Sequence, residues 1–248
     1  MAAVDSYLIC ATPRTGSSLL CGLLDSTGRA GHPESYFRAP DLDAWARRWH
    51  IAGAVDGTYR YGDFVEAAVA AGRTGNGVFG ARIMWGTLDE LVAGLRLVVP
   101  DPPADDAALL GRMFGRTAFV WLRRHDDVAQ AVSWFRSEQE GVWVETTAGP
   151  RPRRRHDLRY SADGISDILT TIRAHNRAWR SWFTAAGIEP HPVDYGDLEA
   201  DPVGVVGNVF ATLGLEPPAP ATVQARHRRM ADDVNAEWIA RYRAGAGD

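Results

Sequence analysis

Thr12-Pro13-Arg14-Thr15-Gly16-Ser17-Ser18-Leu19-Leu20 follows an apolar run, Tyr7 to Ala11, and opens a segment in which Leu19, Leu20, Leu23 and Leu24 recur at helical spacing. The local reading is strand, tight loop, helix. Such a loop aims backbone N–H groups and the positive end of a helix dipole at one point in space, which suits a phosphate or a sulfate. Gly16 lets the backbone approach the anion closely. Arg14 adds a fixed positive charge, and Ser17 and Ser18 add hydroxyl donors. Taken alone, Thr-Gly-Ser-Ser also reads as an ordinary helix N-cap. The common nucleotide loop needs Gly, four residues, Gly, Lys and then Ser or Thr. This loop has one Gly and no Lys, so nothing in it matches the γ-phosphate and Mg²⁺ machinery of that pattern.

Outward from the loop, strand-like runs alternate with helical ones, which predicts an α/β fold with a mostly parallel central sheet covered by helices. Strands are expected at Tyr7 to Ala11, Gly77 to Met84, Thr117 to Leu122 and Pro192 to Tyr195. Helices are expected from Ser17 to Asp25, over Leu88 to Leu97, around Leu109, from Asp126 onward, through Ile165 to Phe183 with a stop at Gly187, through Val205 to Leu213, and over Ala231 to Arg243. Gly141 to Tyr160 has no clear period and reads as a long loop, a length that in compact domains tends to carry function. Its arginines Arg151, Arg153, Arg154 and Arg155 stand among prolines and read as a solvated face, with an anionic ligand as the alternative.

At 248 residues the chain can bury a full core, and one domain over residues 1–248 is expected. A net charge of −4 argues against a partner held through a duplex backbone, so no nucleic-acid partner is expected. All 27 basic residues are arginine, so any anion site here must use guanidinium forks. Cys10 and Cys21 lie in apolar surroundings and read as buried thiols rather than a disulfide framework. No basic leader precedes a long apolar stretch, and no apolar run reaches membrane-spanning length. The expectation is a cytoplasmic protein with no integral membrane segment.

Phe119-Val120-Trp121-Leu122-Arg123-Arg124 is a strand ending in two arginines, and Ser133 follows on the next helix. An Arg at the carboxyl end of a strand and a Ser on the succeeding helix can converge above the sheet edge, where open α/β folds bind ligands. Two such anion blocks, one N-terminal and one mid-chain, resemble the sulfotransferases that use 3′-phosphoadenosine 5′-phosphosulfate (PAPS). Within them the chain is most similar to the bacterial trehalose 2-sulfotransferase group, related to nodulation and lipopolysaccharide sulfotransferases. Ala11 to Leu20 resembles the first motif of that group, and Arg124 to Ser133, with Gln130-Ala131-Val132-Ser133, the second. Gly31-His32-Pro33-Glu34-Ser35-Tyr36-Phe37 resembles its acidic segment. Gly80-Ala81-Arg82-Ile83-Met84-Trp85 resembles a following strand that often carries Lys in place of Arg82. Val193 to Leu198 with Asp201-Pro202 resembles its late strand and helix entry. The likeness runs from Tyr7 to Tyr242.

The resemblance implies a P-loop-like three-layer fold and PAPS as sulfuryl donor, with PAP as product and no metal. Arg14, Thr15, Gly16, Ser17 and Ser18 are then expected on the 5′-phosphosulfate. Arg124 and Ser133 are expected on the 3′-phosphate, with Arg123 as the alternate, Tyr195 on the nucleotide and Arg229 closing over it. The base that removes the acceptor proton is expected at Glu34, with His32 second, because the base of the trehalose enzymes aligns with Ser35 and the carboxylate here stands one place earlier. A carbohydrate or glycolipid acceptor is expected against His32, Tyr36, Phe37, Arg82, Trp85, Gln139 and Trp143. Aromatics beside polar groups suit a sugar ring, and equally suit core packing. The group's dimer-forming members make a homodimer a further expectation. Two other readings share these features: a PAP-binding protein without catalysis, and an ATP-dependent P-loop phosphotransferase.

Overall fold

β1 (Ser6–Ala11) is buried at every residue, as the apolar run from Tyr7 to Ala11 requires of a strand covered on both faces. The computed structural model describes residues 3–141, 158–225 and 233–245. In it β1 is flanked on one side by β2 (Phe79–Met84) and on the other by β3 (Thr117–Arg123), with β4 (His191–Asp194) at the edge, giving the order β2-β1-β3-β4. All three pairings are parallel, with Ala11 opposite Met84, Cys10 opposite Trp121, and Arg123 opposite Asp194. The chain leaves β1 towards β2 and then returns across β1 to reach β3. The strand order therefore reverses at β1, and a crevice opens at its carboxyl end, which is where Thr12 to Gly16 sits.

The helices cover both faces of this sheet. Tyr7, Ile9, Ala11, Val120, Leu122 and Val193 pack with α1 (Ser17–Ser26), α8 (Tyr195–Ala200) and α9 (Pro202–Thr212). Leu8, Cys10, Phe79, Ile83, Phe119 and Trp121 face α3 (Tyr61–Gly72), α4 (Trp85–Val98), α5 (Asp106–Phe114) and the end of α7 (Ala162–Ala185), with α2 (Leu42–Arg48) packed at the margin of that cluster. A third apolar cluster joins α6 (Asp127–Glu140), the start of α7 and α10 (Asp233–Gly245). The three-layer α/β expectation holds.

Differences from the expected elements have local causes. Asp126 caps α6 by accepting from the Ala129 N–H, and Asp201 caps α9 by accepting from the Gly204 N–H, so both starts fall where the capping residues put them. Tyr195 does not end β4; it opens α8, because the Asp194 side chain accepts from the Gly196 N–H and starts a helix there. The sequence expectations omit α2 and α3. For α3 the signal is Tyr61, Phe64, Val65 and Ala68 at helical spacing; α2 is only seven residues long, too short to show a period. Both cysteines are free and buried, and burial pushes the Cys21 thiol up to about 12, which leaves it inert at neutral pH. No helix among the described residues is long and apolar enough to cross a membrane.

Candidate active site

The loop between β1 and α1 turns by placing two residues in the left-handed region: Arg14 at φ 66° and Gly16 at φ 85°. Gly16 is the N-cap of α1 and has no side chain to satisfy the first N–H groups of the helix. Those donors are left for a ligand, the arrangement that makes a helix N-terminus an anion site. Thr12 and Thr15 are fully buried, and the Thr15 hydroxyl donates to the Thr12 carbonyl at 2.9 Å, closing the turn on itself.

Two contacts join this loop to the second block. The Arg14 Nε donates to the Ser133 Oγ at 3.0 Å, across 119 residues of sequence. Tyr195 lies against Gly16: a Cβ at that position would stand 2.5 Å from the Tyr195 Cδ2. The Arg124 guanidinium in turn stacks on the Tyr195 ring, 4.6 Å from its centroid. Arg14, Gly16, Arg124, Ser133 and Tyr195 are thus brought together at the carboxyl edge of β1 and β3. Arg123 goes elsewhere. Strand alternation sends it to the opposite face, where its guanidinium lies 4.4 Å from the centroid of Trp121. His125 supports the Arg124 side by hydrogen bonding, through Nδ1, to the Asp194 carboxylate.

Arg82 ties the other flank of the loop. From β2 its Nη1 donates to Ser18 Oγ at 2.7 Å and, longer, to Ser17 Oγ at 3.4 Å, while its Nε donates to Ser35 Oγ at 2.8 Å. The guanidinium therefore stands between the first turn of α1 and the Glu34-Ser35 segment. Glu34 is exposed, and its backbone bridges to β2, accepting from the Arg82 N–H at 2.9 Å. His32 is held by Asp25 from the last turn of α1, with Nδ1 to Oδ1 at 2.5 Å.

The acceptor candidates divide. Trp85 is half-buried at the carboxyl end of β2 and meets Trp179 edge-on at 5.1 Å. Tyr36 and Phe37 are 2% and 1% exposed. Tyr36 donates its hydroxyl to the His32 carbonyl and stacks among Trp45, Trp49 and Phe79; Phe37 packs against Phe64 and Phe114. Both are core residues here, which is the packing alternative the sequence left open. Gln139 is exposed, and its amide is used in both directions on the Arg159 backbone, at 2.9 and 2.8 Å. Trp143, Arg229 and the arginines from Arg151 to Arg155 lie outside the described residues. Two further residues hold the loop and were not expected there. Gln130 donates to Thr12 and Pro13, and Trp179 donates through Nε1 to the Ala11 carbonyl at 3.0 Å. The mid-motif Gln was visible in the sequence; its partner was not. No group of three His, Cys, Asp or Glu side chains suited to a metal occurs among the described residues.

Comparison with known proteins agrees with this architecture. Residues 6–245 match the family model described as Stf0 sulphotransferase. The chain is 32% identical to a trehalose 2-sulfotransferase of Mycobacterium tuberculosis, with 98% of this chain and 96% of the relative covered. It is also 32% identical to a trehalose 2-sulfotransferase of Mycolicibacterium smegmatis, covering 97% and 95%. Among solved structures, the sulfotransferase domain of the Synechococcus PCC 7002 olefin synthase superposes with a TM-score of 0.51 at 14% identity, covering 100% of this chain and 97% of that one, a likeness of fold.

Proposed function

Because the chain belongs to the Stf0 sulphotransferase family, and is thereby a sulfotransferase, we propose that it moves a sulfuryl group from PAPS to a hydroxyl of a carbohydrate or glycolipid acceptor. The observation that carries the donor assignment is the convergence of the two arginine-bearing blocks. Arg14 reaches Ser133, and Tyr195 is packed between Gly16 and Arg124. In this reading the 5′-phosphosulfate takes the N–H groups of Thr15 to Ser18, the hydroxyls of Ser17 and Ser18 and the charge of Arg14. Arg124 and Ser133 take the 3′-phosphate, and Tyr195 supports the nucleotide. Arg124 is preferred to Arg123 because it is the one on the Gly16 side of the sheet. The carbohydrate assignment rests on the trehalose enzymes at 32% identity. Trp85 and Arg82 are its best-placed contacts, and Tyr36 and Phe37 stand behind them in the core.

The transfer breaks the bond between sulfur and the bridging oxygen of the phosphosulfate and forms one between sulfur and the acceptor oxygen. PAP leaves with the electron pair, and the acceptor proton passes to a carboxylate, assigned to Glu34. As in phosphoryl transfer, the protein's part is in-line positioning and stabilisation of charge on the leaving oxygen. The test is transfer of label from ³⁵S-PAPS to a panel of sugars that includes trehalose, beside PAP binding measured by calorimetry. Labelled sugar supports the proposal. PAP binding without transfer to any sugar, lipid-linked sugars included, would mean a PAP-binding protein of another role.

Gly16→Ala gives a second, structural check. At φ 85° an alanine is strained, and its Cβ would collide with the Tyr195 ring. Either the loop or Tyr195 must shift, so affinity for PAP is expected to fall by about tenfold or more for each ~1.4 kcal/mol of misfit. Wild-type affinity in this variant would mean that Tyr195 and the loop do not share a ligand.

A further inference from the structure

We infer that Gln130, a residue outside the set assigned to the ligand, is the positioning residue that holds the Pro13 carbonyl away from the anion in the loop after β1. The side chain is wholly buried at the end of the first turn of α6. Its Nε2 donates to Thr12 Oγ1 at 2.8 Å and to the Pro13 carbonyl at 2.6 Å, bridging 118 residues of sequence to the first of these. A carbonyl can only accept, so the Pro13 oxygen fixes the amide orientation. The Gln130 Oε1 has no hydrogen-bond partner among the described residues. An unmatched buried acceptor costs stability, so what the amide contributes at this site is its two N–H donors.

What that cost secures is visible in the fate of the loop's acceptors. The Ala11 carbonyl receives the Trp179 Nε1, the Thr12 carbonyl the Thr15 hydroxyl, the Pro13 carbonyl Gln130, and the Gly16 carbonyl the Leu20 N–H. These four carbonyl dipoles, which would repel an anion, are each held by a donor of the protein, which turns them from the crevice and leaves the adjoining N–H groups to it. Pro13 is the critical member. It cannot donate, and the next residue, Arg14, is held at φ 66°. A peptide flip about Pro13–Arg14 would relieve that strain and aim a carbonyl at the anion; the bond from Gln130 blocks the flip. This rests on the sulfotransferase reading for the ligand's identity, though not for the loop's geometry.

The test measures loop and ligand separately. Gln130→Met keeps the volume and removes both donors. In the ligand-free variant, amide hydrogen exchange of residues 14–18 is expected to speed up about tenfold, and the dissociation constant for PAP to rise about tenfold or more, as loss of a buried bond and its preorganisation implies. Thr12→Val, which removes one of the two acceptors and leaves Pro13 held, is expected to do less on both readouts. Gln130→Glu adds a signature that simple packing lacks. The neutral acid can donate to the Pro13 carbonyl, whereas the carboxylate repels both it and the ligand. The ratio of its PAP dissociation constant to that of wild type should therefore climb as pH rises. The charged and titratable groups of the loop, α6, α7 and α10, among them Arg14, Asp126, Asp127, Arg173, His175 and Arg243, are common to both proteins, so the ratio isolates residue 130. Unchanged loop exchange and unchanged PAP affinity in Gln130→Met, or a pH-independent ratio in Gln130→Glu if the Met variant does not fold, overturns the inference. Faster loop exchange in Gln130→Met, with wild type failing to bind PAP, would instead uphold the clamp and sink the donor assignment.

Discussion

Arg14→Ala is expected to cut turnover about 10²–10³-fold with little change in melting temperature. In the proposed transfer from PAPS, negative charge grows on the bridging oxygen as PAP departs. A half-buried guanidinium at the mouth of the α1 N-terminus is placed to receive it. Removing one donor from a comparable transition-state cradle costs about 3–4 kcal/mol. The fold does not depend on the side chain: Arg14 is half-buried, and the residue beneath it, Thr15, holds the turn. Arg14→Lys keeps a charge and loses the fork that also reaches Ser133, so a loss between those of wild type and alanine is expected. The informative measurement is the separation of kcat from KM for PAPS. A fall in kcat with KM nearly constant places the interaction in the transition state. A rise in KM alone would make Arg14 a ground-state grip on the donor and move the search for charge stabilisation to Arg82, the other guanidinium on the first turn of α1.

Much of this site could be read from the chain because the elements that build it are local. A continuous apolar run, a glycine and a helical leucine stripe placed β1, the loop and α1 within a residue or two. The Arg124-to-Ser133 block gained its position in the same way, from a strand followed by a capped helix. What escaped was everything decided by partners far away in sequence. Tyr36 and Phe37 are buried only because α2, α3 and α5 bring Trp45, Phe64 and Phe114 against them, and α2 and α3 were not expected. The same letters on an open face would have been a sugar platform. Likewise nothing in Gln130-Ala131-Val132-Ser133 says which of its polar residues points at the loop's backbone and which at Arg14. Helical geometry puts Gln130 and Ser133 on neighbouring turns, and the fold alone decides that one meets Pro13 and the other Arg14. The choice between Arg123 and Arg124 was open for a similar reason. Alternation guarantees that they face opposite ways, and only the docking of α8 shows which face the loop occupies.

Glu34→Ala is expected to lower kcat by about 10²–10⁴-fold, the range a positioned general base contributes, while PAP affinity stays within a few-fold of wild type. Ser35, the other candidate position for the base in the proposed reading, is a poor base at neutral pH, and its hydroxyl already accepts from Arg82. His32 is held by Asp25 at the far end of α1, so its alanine variant is expected to lose much less, on the order of a few-fold. Glu34 lies between them. Its main chain is pinned to β2 by the Arg82 N–H, and its side chain is exposed and so open to an acceptor. In the proposed mechanism Arg82 serves both halves of the reaction: it links the first turn of α1, where the sulfate is assigned, to the segment that carries the proposed base. Breaking that link with Arg82→Met should reduce kcat with a smaller effect on PAP affinity, because the backbone donors of the loop remain. Single-turnover transfer from PAPS to the best sugar in the panel decides between the carboxylates and imidazole. Wild-type chemistry in Glu34→Ala together with a large loss in His32→Ala would transfer the role to the Asp25–His32 pair, and with it the acceptor to the outer end of α1.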